Sequence, residues 1–312
     1  MKRAIVLMNM GGPNNLDEVE VFLKNMFNDK YIIGVPQPMR CMIGFIITTL
    51  RKKEARENYK KLGGMSPIVG HTKRLVRRLN RILDADVYYE MRYTPPFAKE
   101  VIPNLKNYDE IYAIPMYPHY SSTTTKSSIE NFEKEAKRVG VKVPIKTIDS
   151  YYDDENYNKA IVERIKEKVS DVNSEEYELI FSAHGLTQRT IDKGDPYQEH
   201  VLKNVQCAKE ELKKQGVKFK SISVAYQSRL GPVEWIKPYM DVILKEMKGK
   251  KVLVYPISFT VDNSETEFEL NIEYQEIADE VGISDYRVAK VPNHHPYFIK
   301  TIEGIYNNLK SQ

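Results

Sequence analysis

The chain has 312 residues, of which 41% are hydrophobic and 29% charged, and its net charge is +4. This length suggests about two domains, and the composition excludes wholesale disorder. The small basic excess is spread among acidic neighbours, so it does not indicate a nucleic-acid-binding protein. Cys41 and Cys207 are far apart and support neither a disulfide framework nor a cysteine-built metal site. Two free thiols in a reducing cytoplasm are the favoured interpretation.

Neither apolar stretch of the sequence predicts an export signal or a membrane span. The run that follows Met1 is too short for a signal peptide and has no small-residue cleavage site. Residues 41–50 make up about half of a transmembrane span. We therefore expect a cytoplasmic protein, in which residues 41–50 could touch a membrane surface peripherally.

Strand-like and helix-like segments alternate through the first half of the chain. Residues 3–9 predict a buried strand, which ends before Gly11-Gly12-Pro13. Apolar residues from Leu16 to Phe27 then recur at helical spacing. Further strands are predicted at 86–93, 110–114 and 143–148, with a helix start near Ser121.

The same alternation continues in the second half, after a helix at 154–169. Strands are predicted at 177–183, 219–225 and 251–256, with helices beginning near 196, 232 and 264 and a last helix at 297–309. Strands and helices at this spacing predict parallel sheets covered by helices on both faces. We therefore predict an α/β protein of two similar lobes, residues 1–150 and 151–312, with a cleft between them.

His184 stands where the apolar strand at 177–183 ends. Ligands of open α/β sheets bind at the carboxyl ends of the strands, and an imidazole there can ligate a metal or move a proton near neutral pH. A lone strand-end histidine is more often structural, with its ring satisfied by a loop carbonyl. The choice between these interpretations depends on which residues surround His184.

A series of carboxylates follows the strand at 251–256. If a helix begins near Ser264, Asp262, Glu265, Glu269 and Glu273 follow steps of three, four and four and lie along one side. A solvated acidic face would show the same spacing. However, the series starts at a strand end in the sheet that carries His184. We therefore expect an imidazole to face a carboxylate, with further carboxylates behind it, in a site for a divalent cation and a proton relay.

The predicted ligands also limit the kind of metal. A closed structural zinc site needs four nitrogen or sulfur ligands, which this chain does not offer near His184. A histidine with one or two glutamates leaves coordination positions open and suits a transiently held ion such as Fe²⁺. The predicted metal is therefore one that is passed on rather than kept.

These residues resemble the ferrochelatases, which insert Fe²⁺ into a porphyrin late in haem synthesis. The stretches SAHGL…GDPY at 182–197 and PISFTVDNSETEFELNIEY at 256–274 are similar to the two signature stretches of the family. Further similar stretches occur in the family's order: LMNMGGP at 7–13, YKKLGGMSPI at 59–68, MRYTPP at 91–96, PMYPHYSSTTTKSS at 115–128 and QSRLGPVEW at 227–235. The resemblance therefore covers almost the entire chain.

The resemblance implies two Rossmann-like lobes with parallel sheets flanked by helices and a porphyrin cleft. It implies that His184 and Glu265 bind the metal and abstract protons, and that Glu269 and Glu273 line a proton or metal path. The positions implied to contact the porphyrin are Arg51, Tyr59, Ser66, Arg92, Tyr93, Tyr117 and Trp235. Residues 36–51 match a hydrophobic lip. Iron and porphyrin are then substrates, with no cofactor permanently bound.

Three positions depart from the family's pattern. Asn263 replaces the histidine that many members have beside the acidic pair, and Thr187 replaces a proline. Ser122 stands where members with an iron–sulfur cluster have a cysteine, and the C-terminus lacks the other cysteines, so we expect no cluster.

Several related functions remain open at the level of the sequence. The NMGGP opening and the long lip favour protoporphyrin IX over coproporphyrin III as the substrate. A cobalt chelatase would use more histidines than the single matched His184. A two-lobed solute-binding protein would need an export signal.

Overall fold

A computed structural model describes residues 1–229 and 231–312, and these residues form two compact units. The first unit comprises Met1–Tyr117, Ser121–Asp149 and Ile302–Gln312, and the second comprises Pro118–Tyr120 and Ser150–Thr301. Each unit is built on a four-stranded sheet whose strands all pair in parallel. Helices follow the strands in both units, so the predicted α/β class with parallel sheets flanked by helices is confirmed.

The sheet of the first unit has the strand order β2-β1-β3-β4. Its strands are β1 (Arg3–Asn9), β2 (Asp86–Met91), β3 (Glu110–Pro115) and β4 (Ile145–Thr147). Its helices are α1 (Glu18–Phe27), α2 (Gln37–Lys61), α3 (Ile68–Leu79), α4 (Ala98–Val101) with a 3₁₀ turn at Ile102–Leu105, and α5 (Ser127–Val139) after a π-helical turn at Ser122–Lys126. The central strand β1 is buried from Ala4 onward because its near-continuous apolar run suits a strand covered on both faces.

The C-terminal residues 302–312 belong to the first unit, although the predicted second domain runs to residue 312. The ring of Tyr306 packs edge-on against Tyr112 of β3, with ring centres 5.0 Å apart. The hydroxyl of Tyr306 donates a hydrogen bond to Asp84 at 2.8 Å. These contacts join the end of the last helix to the first sheet, which the linear order of elements does not reveal.

The sheet of the second unit has the strand order β6-β5-β7-β8. Its strands are β5 (Tyr177–His184), β6 (Ser221–Gln227), β7 (Lys251–Pro256) and β8 (Asp285–Val288). The helices that follow Ser150 are α6 (Glu155–Lys168), α7 (Gln188–Asp192), α8 (Tyr197–Lys214), α9 (Met240–Lys245), a π-helix at Glu265–Glu273, α10 (Tyr274–Val281) and α11 (Pro296–Ser311), with a 3₁₀ turn at Ser174–Glu176. The short edge strand β8 has no counterpart among the predicted strands.

The prediction that a helix begins near residue 232 is wrong, because the next helix, α9, begins at Met240. Trp235 instead forms an antiparallel bridge with Thr187, and the amide of Ile236 donates to the carbonyl of Leu186 at 3.0 Å. Pairing with the segment that follows His184 therefore holds this stretch in an extended form. Its prolines at 232 and 238 also disfavour a helix here.

Glu90 on β2 is a fully buried carboxyl group in the first unit. Neither of its carboxyl oxygens has a hydrogen-bond partner among the residues that the structure describes. Burial raises the pKa of Glu90 to about 8, against a smaller opposing effect of the Arg92 charge. The group is therefore mostly protonated at neutral pH, because an unpaired buried charge would be more costly.

Replacing Glu90 by glutamine should stabilise the protein increasingly as the pH rises from 5 to 8. A raised pKa in the folded state supplies stability that is complete below the unfolded value and is lost as the pH rises through the folded value. Glutamine mimics the protonated acid without this loss, so the expected gain at pH 7 is roughly 3 kcal/mol. Thermal melting of the wild type and Glu90→Gln at pH 5 and pH 8 measures the effect, with the exposed Glu133→Gln as control. An equal difference in melting temperature at both pH values would contradict the assignment.

Candidate active site

Three neighbouring strands of the second sheet end at one edge and supply the polar groups of the site. His184 is the last residue of β5 and pairs in register with Gln227, the last residue of β6. The strand β7 lies on the other side of β5 and ends at Pro256, two residues before Ser258. The prediction that His184 lies at a strand's carboxyl end, beside residues that follow a second strand, is confirmed.

A closed set of hydrogen bonds fixes the backbone of His184. Its amide donates to the hydroxyl of Ser258 at 3.2 Å, and its carbonyl accepts from the hydroxyl of Tyr197 at 2.8 Å. The hydroxyls of Tyr197 and Ser258 are 2.7 Å apart. Because Tyr197 already donates its proton to His184, Ser258 is the donor in this last bond. All three residues are thereby held in one arrangement.

Gly185 is required by the close approach of β6 and the segment after it. Its amide donates to the carbonyl of Gln227 at 2.9 Å. A Cβ atom on residue 185 would lie 2.7 Å from that carbonyl oxygen and 3.3 Å from the ring of Trp235. Any larger residue would displace Gln227 or the chain at 185, so the glycine after His184 keeps the three strand ends together.

His184 and Glu265 form the central pair of the site. The Nδ1 atom of His184 is 2.6 Å from Oε2 of Glu265, and the two side chains are 35% and 20% exposed. Burial acts to lower the pKa of His184, but the charge and hydrogen bond of Glu265 and the charge of Glu269 outweigh it, so this pKa is raised. Since Nδ1 is engaged by Glu265, Nε2 is the nitrogen left for a substrate atom.

Glu269 lies behind this pair. Its Oε2 accepts from the hydroxyl of Ser228 at 2.6 Å and from the side-chain amide of Gln227 at 3.0 Å. Burial and the negative charge of Glu265 raise the pKa of Glu269 to about 7. A carboxyl group with this pKa can take up and release a proton near neutral pH.

Ser228 connects the two carboxylates. Its hydroxyl lies 3.4 Å from Oε2 of Glu265 and 2.6 Å from Oε2 of Glu269. Its φ of +65° is unusual for a residue with a side chain. Strained backbone of this kind tends to occur at functional sites, and here it accompanies a hydroxyl shared between two acidic groups.

The described residues contain no set of three or more His, Cys, Asp or Glu side chains arranged to hold a metal ion. The pair of His184 and Glu265 is the smaller set that the structure brings together. Two ligands leave most coordination positions of a divalent ion open. Such a pair suits an ion that must leave again, rather than a resident structural metal.

Asp262 and Glu273 lie in different surroundings from Glu265 and Glu269, although the sequence predicted all four carboxylates along one side of a helix. Asp262 is 1% exposed, and its hydrogen bonds go to Asn293, Thr266 and the amide of Val291. Glu273 is exposed at the end of the π-helix. The structure thus brings Glu265 and Glu269 together around Ser228, whereas Asp262 bonds to a different set of residues.

The predicted porphyrin residues of the first unit lie on several elements. Arg51 is on α2 and makes no hydrogen bond or ion pair with another described residue. Tyr59 packs in the core cluster that α1 and α2 share, 6% exposed. Ser66 lies so close to Gly12 that a Cβ at residue 12 would be 2.6 Å from it. Ser66 and Tyr59 are thus buried, at 4% and 6% exposure, whereas the Arg51 guanidinium has no partner among the residues that the structure describes.

The remaining predicted porphyrin residues lie near strand ends. Arg92 and Tyr93 follow β2, and Tyr117 follows β3, with its hydroxyl 3.2 Å from that of Ser128. Burial raises the pKa of Tyr117, so it stays neutral. Trp235 is half-buried in the second unit, against Gly185.

Sequence reasoning did not assign roles to Ser182, Tyr197, Gln227, Ser228 and Ser258, although they hold the site together. Ser182 donates to Gln227 at 2.7 Å, and Gln227 then donates to Glu269. All five lie within the stretches that carry the family resemblance. Their place within these stretches was the one indication of a role that the sequence offered, because serine, glutamine and tyrosine are common in loops.

Comparisons with known proteins agree on one family. The sequence profile described as Ferrochelatase matches residues 2–309. A protein named ferrochelatase from Sulfurimonas denitrificans is 49% identical over 99% of this chain and 99% of its own length. Ferrochelatases from Nitratiruptor sp. and Helicobacter pylori are 51% and 39% identical, over 98% and 100% of this chain and 100% and 94% of their own lengths.

Solved structures resemble the fold at low sequence identity. SirB from Bacillus subtilis with Fe³⁺ superposes with a TM-score of 0.62 at 11% identity, over 99% of this chain and 96% of its own. The sirohydrochlorin chelatase SirB from Bacillus subtilis subspecies spizizenii, in complex with cobalt, gives a TM-score of 0.58 at 12% identity, over 99% and 95% of the two chains. These similarities establish a chelatase-like fold.

Replacing Glu265 by glutamine should lower the pKa of His184. The substitution removes the negative charge that raises this pKa and leaves burial, which lowers it. An NMR titration of the imidazole resonances measures the change, with His184→Ala to identify the signal. Replacement of the exposed Glu276 by glutamine serves as the matched control. An unchanged or higher pKa in Glu265→Gln would show that the pair does not form in solution.

Proposed function

This chain belongs to the ferrochelatase family, and on that premise we propose that it inserts ferrous iron into protoporphyrin IX with His184 as the proton acceptor. The family relation makes it a metal chelatase, a lyase, whose substrates are iron and a porphyrin. The proposal adds which porphyrin is used and what each side chain does.

The reaction requires two proton transfers from the porphyrin. A free porphyrin carries two inner N–H protons, which must leave as the metal sheds its water and enters the ring. A neutral imidazole is the side chain best suited to take a proton near pH 7. His184 has Nε2 available for this step, because Nδ1 is held by Glu265.

The 2.6 Å contact between His184 and Glu265 is the observation that carries the proposal. The carboxylate stabilises the imidazolium that forms when His184 takes a proton, and it offers an oxygen to the incoming metal. Glu269 then receives protons from this pair, since its pKa of about 7 allows uptake and release at neutral pH. Glu273, exposed at the end of the same π-helix, marks where the path would reach solvent.

Arg51 is proposed to bind a propionate of the porphyrin. Its guanidinium is free of ion pairs with the described residues, and its fork matches a carboxylate in two parallel hydrogen bonds. The family resemblance supports a porphyrin-contacting role for each of five further residues: Tyr59, Ser66, Tyr93 and Tyr117 in the first unit and Trp235 in the second. Binding energy gained at the ring's periphery can support bending of the ring toward the metal.

We assign no permanently bound cofactor and no iron–sulfur cluster. The position of Ser122 and the two distant cysteines support this assignment. Protoporphyrin IX is favoured over coproporphyrin III by the NMGGP opening and the long apolar lip. Insertion rates of Fe²⁺ or Zn²⁺ into both porphyrins by the purified protein decide between them.

Peripheral membrane contact is proposed for the first half of α2. Five large apolar side chains there are 48–75% exposed: Met39, Met42, Phe45, Ile46 and Leu50. Lys52 and Lys53 follow them on the same helix and are exposed. Apolar groups beside cations suit the interface of an anionic bilayer. No helix within residues 1–229 or 231–312 has the length and apolar character to cross a bilayer.

Replacing His184 by alanine should lower kcat for metal insertion by roughly 100-fold or more, the range found for the loss of a positioned acid or base. Porphyrin affinity and the circular dichroism spectrum should stay near those of the wild type, because the backbone bonds of His184 to Ser258 and Tyr197 remain. Near-normal turnover in this variant would refute the role of His184.

Replacing Glu265 by glutamine should reduce kcat far more than replacing Glu273 by glutamine. Glu265 contacts His184, whereas Glu273 lies exposed at the far end of the π-helix. Steady-state insertion kinetics of both variants measure the difference. Equal losses would indicate that the carboxylates act only through their summed charge.

Replacing Ile46 by aspartate should weaken binding to anionic liposomes or raise KM for the porphyrin, with little change in melting temperature. Ile46 is 48% exposed, whereas its neighbour Ile47 packs against the α1–α2 core cluster. Ile47→Asp should therefore lower the melting temperature sharply, because it buries a charge. The exposed Ile82→Asp controls for adding a charge elsewhere in the first unit. A large fall in melting temperature in Ile46→Asp, with unchanged KM for the porphyrin and unchanged liposome binding, would contradict the proposed role of this segment as a lip.

A further inference from the structure

A buried carboxylate in the first unit gathers four hydrogen bonds from different parts of the chain. The side chain of Asp29 is 1% exposed. Its Oδ2 accepts from Nη2 of Arg92 at 2.9 Å, from the hydroxyl of Tyr93 at 3.0 Å and from the hydroxyl of Ser127. Its Oδ1 accepts from the amide of Tyr31 at 2.9 Å. Asp29 thus connects the turn after α1, the end of β2 and the start of α5.

This arrangement fixes the guanidinium of Arg92. Nη2 is held by Asp29, and Nε donates to the hydroxyl of Ser127 at 3.0 Å. The guanidinium carbon lies 5.2 Å from the ring centre of Tyr93. The nitrogen Nη1 makes no hydrogen bond with any described residue, and the Arg92 side chain keeps 21% of its surface exposed.

Changing the orientation of the Arg92 guanidinium would cost free energy. A buried charge that loses its partner is strongly destabilising, so Asp29 and Arg92 stay together. Stacking on Tyr93 and the bond to Ser127 remove the rotational freedom that an exposed arginine has. The donor at Nη1 is therefore held in place before any ligand arrives. Such pre-organisation favours binding because the side chain loses little conformational entropy when the ligand binds.

A guanidinium nitrogen presented in this way selects an anion. Charge-assisted donors bind carboxylates, and a cation such as iron would be repelled. The anionic groups of a porphyrin are its peripheral carboxylates. The carboxylate of Asp29 already binds Nη2 of Arg92 and leaves Nη1 for a carboxylate of the substrate.

We propose that Asp29 is a positioning residue that holds Arg92 so that Nη1 binds a carboxylate of the porphyrin. The inference rests on the proposed function and names a residue that acts through Arg92 without touching the substrate. It predicts that loss of the Asp29 charge impairs porphyrin binding rather than the chemical step.

The experiment compares KM and kcat of Asp29→Asn with those of the wild type on two substrates in the same detergent. One substrate is a porphyrin with free carboxylates, and the other is its dimethyl ester. For the free acid, KM should rise about tenfold with kcat within about twofold of the wild type. For the ester, KM should not change, because no carboxylate remains to bind. The exposed Asp17→Asn, with a side chain 91% exposed, is the matched control.

A double-substitution cycle separates positioning from a general structural role. In an Arg92→Met background, Asp29→Asn should add no further rise in KM. An unchanged KM for the free acid, an equal rise for the ester, or a full additional rise in the Arg92→Met background would each overturn the proposal.

A second variant and the wild-type activity complete the test. If Asp29→Asn does not fold, Ser127→Ala removes the bond to Nε and should raise KM for the free acid alone, by less than tenfold; an unchanged KM there overturns the proposal. A wild-type protein that inserts no metal into either porphyrin would refute the proposed function and with it this inference. If the wild type inserts metal normally, a contrary result with the variants would refute only the role of Asp29 and not the proposed function.

Discussion

The hydrogen bond between the imidazole of His184 and the carboxylate of Glu265 is the interaction on which the account of this enzyme depends. It forms because His184 ends β5 and Glu265 lies on the segment that follows the adjacent parallel strand β7, and the carboxyl ends of both strands lie at the same edge of the sheet. The backbone of His184 is fixed by Tyr197 and Ser258, and the contact of Nδ1 with Glu265 orients the ring. Under the proposed function, one side chain of the pair acts as a base and the other offers a ligand to the metal.

The π-helix at Glu265–Glu273 shapes the rest of the site. A π-helix has a wider turn than an α-helix, and these rare elements occur frequently at functional sites. Here it begins at Glu265 and places Glu269 against Gln227 and Ser228. Burial of Glu269, together with the negative charge of the neighbouring Glu265, raises the pKa of Glu269 to about 7.

The sequence predicted the strand ends from simple patterns, whereas the choice of Glu265 as the partner of His184 came from the family resemblance. Apolar runs marked β5 and β7, and the residues after them had to meet at one edge of the sheet. The helix after Ser264 was expected to be α-helical, and that assumption aligned Asp262 with Glu265. A change of helical period leaves no mark in the spacing of apolar residues, so the bonding of Asp262 to Asn293 could not be foreseen.

Tertiary contacts determined the other features that the sequence did not predict. The segment after Pro232 is extended because Trp235 pairs with Thr187, a long-range contact that local propensity does not contain. The last residues of α11 join the first unit through Tyr306 and Tyr112. The positive φ of Ser228 is likewise imposed by its surroundings, since serine has no intrinsic preference for it.

The most direct test of the central claim is the pH dependence of kcat/KM for metal insertion by the wild type and by Glu269→Gln. The account requires His184 to be neutral before it accepts a proton, so activity should rise with pH through an apparent pKa above 6.5. Removing the negative charge of Glu269 withdraws one of the effects that raise the pKa of His184, so this rise should move to lower pH. A profile that stays in place or moves to higher pH would contradict the account.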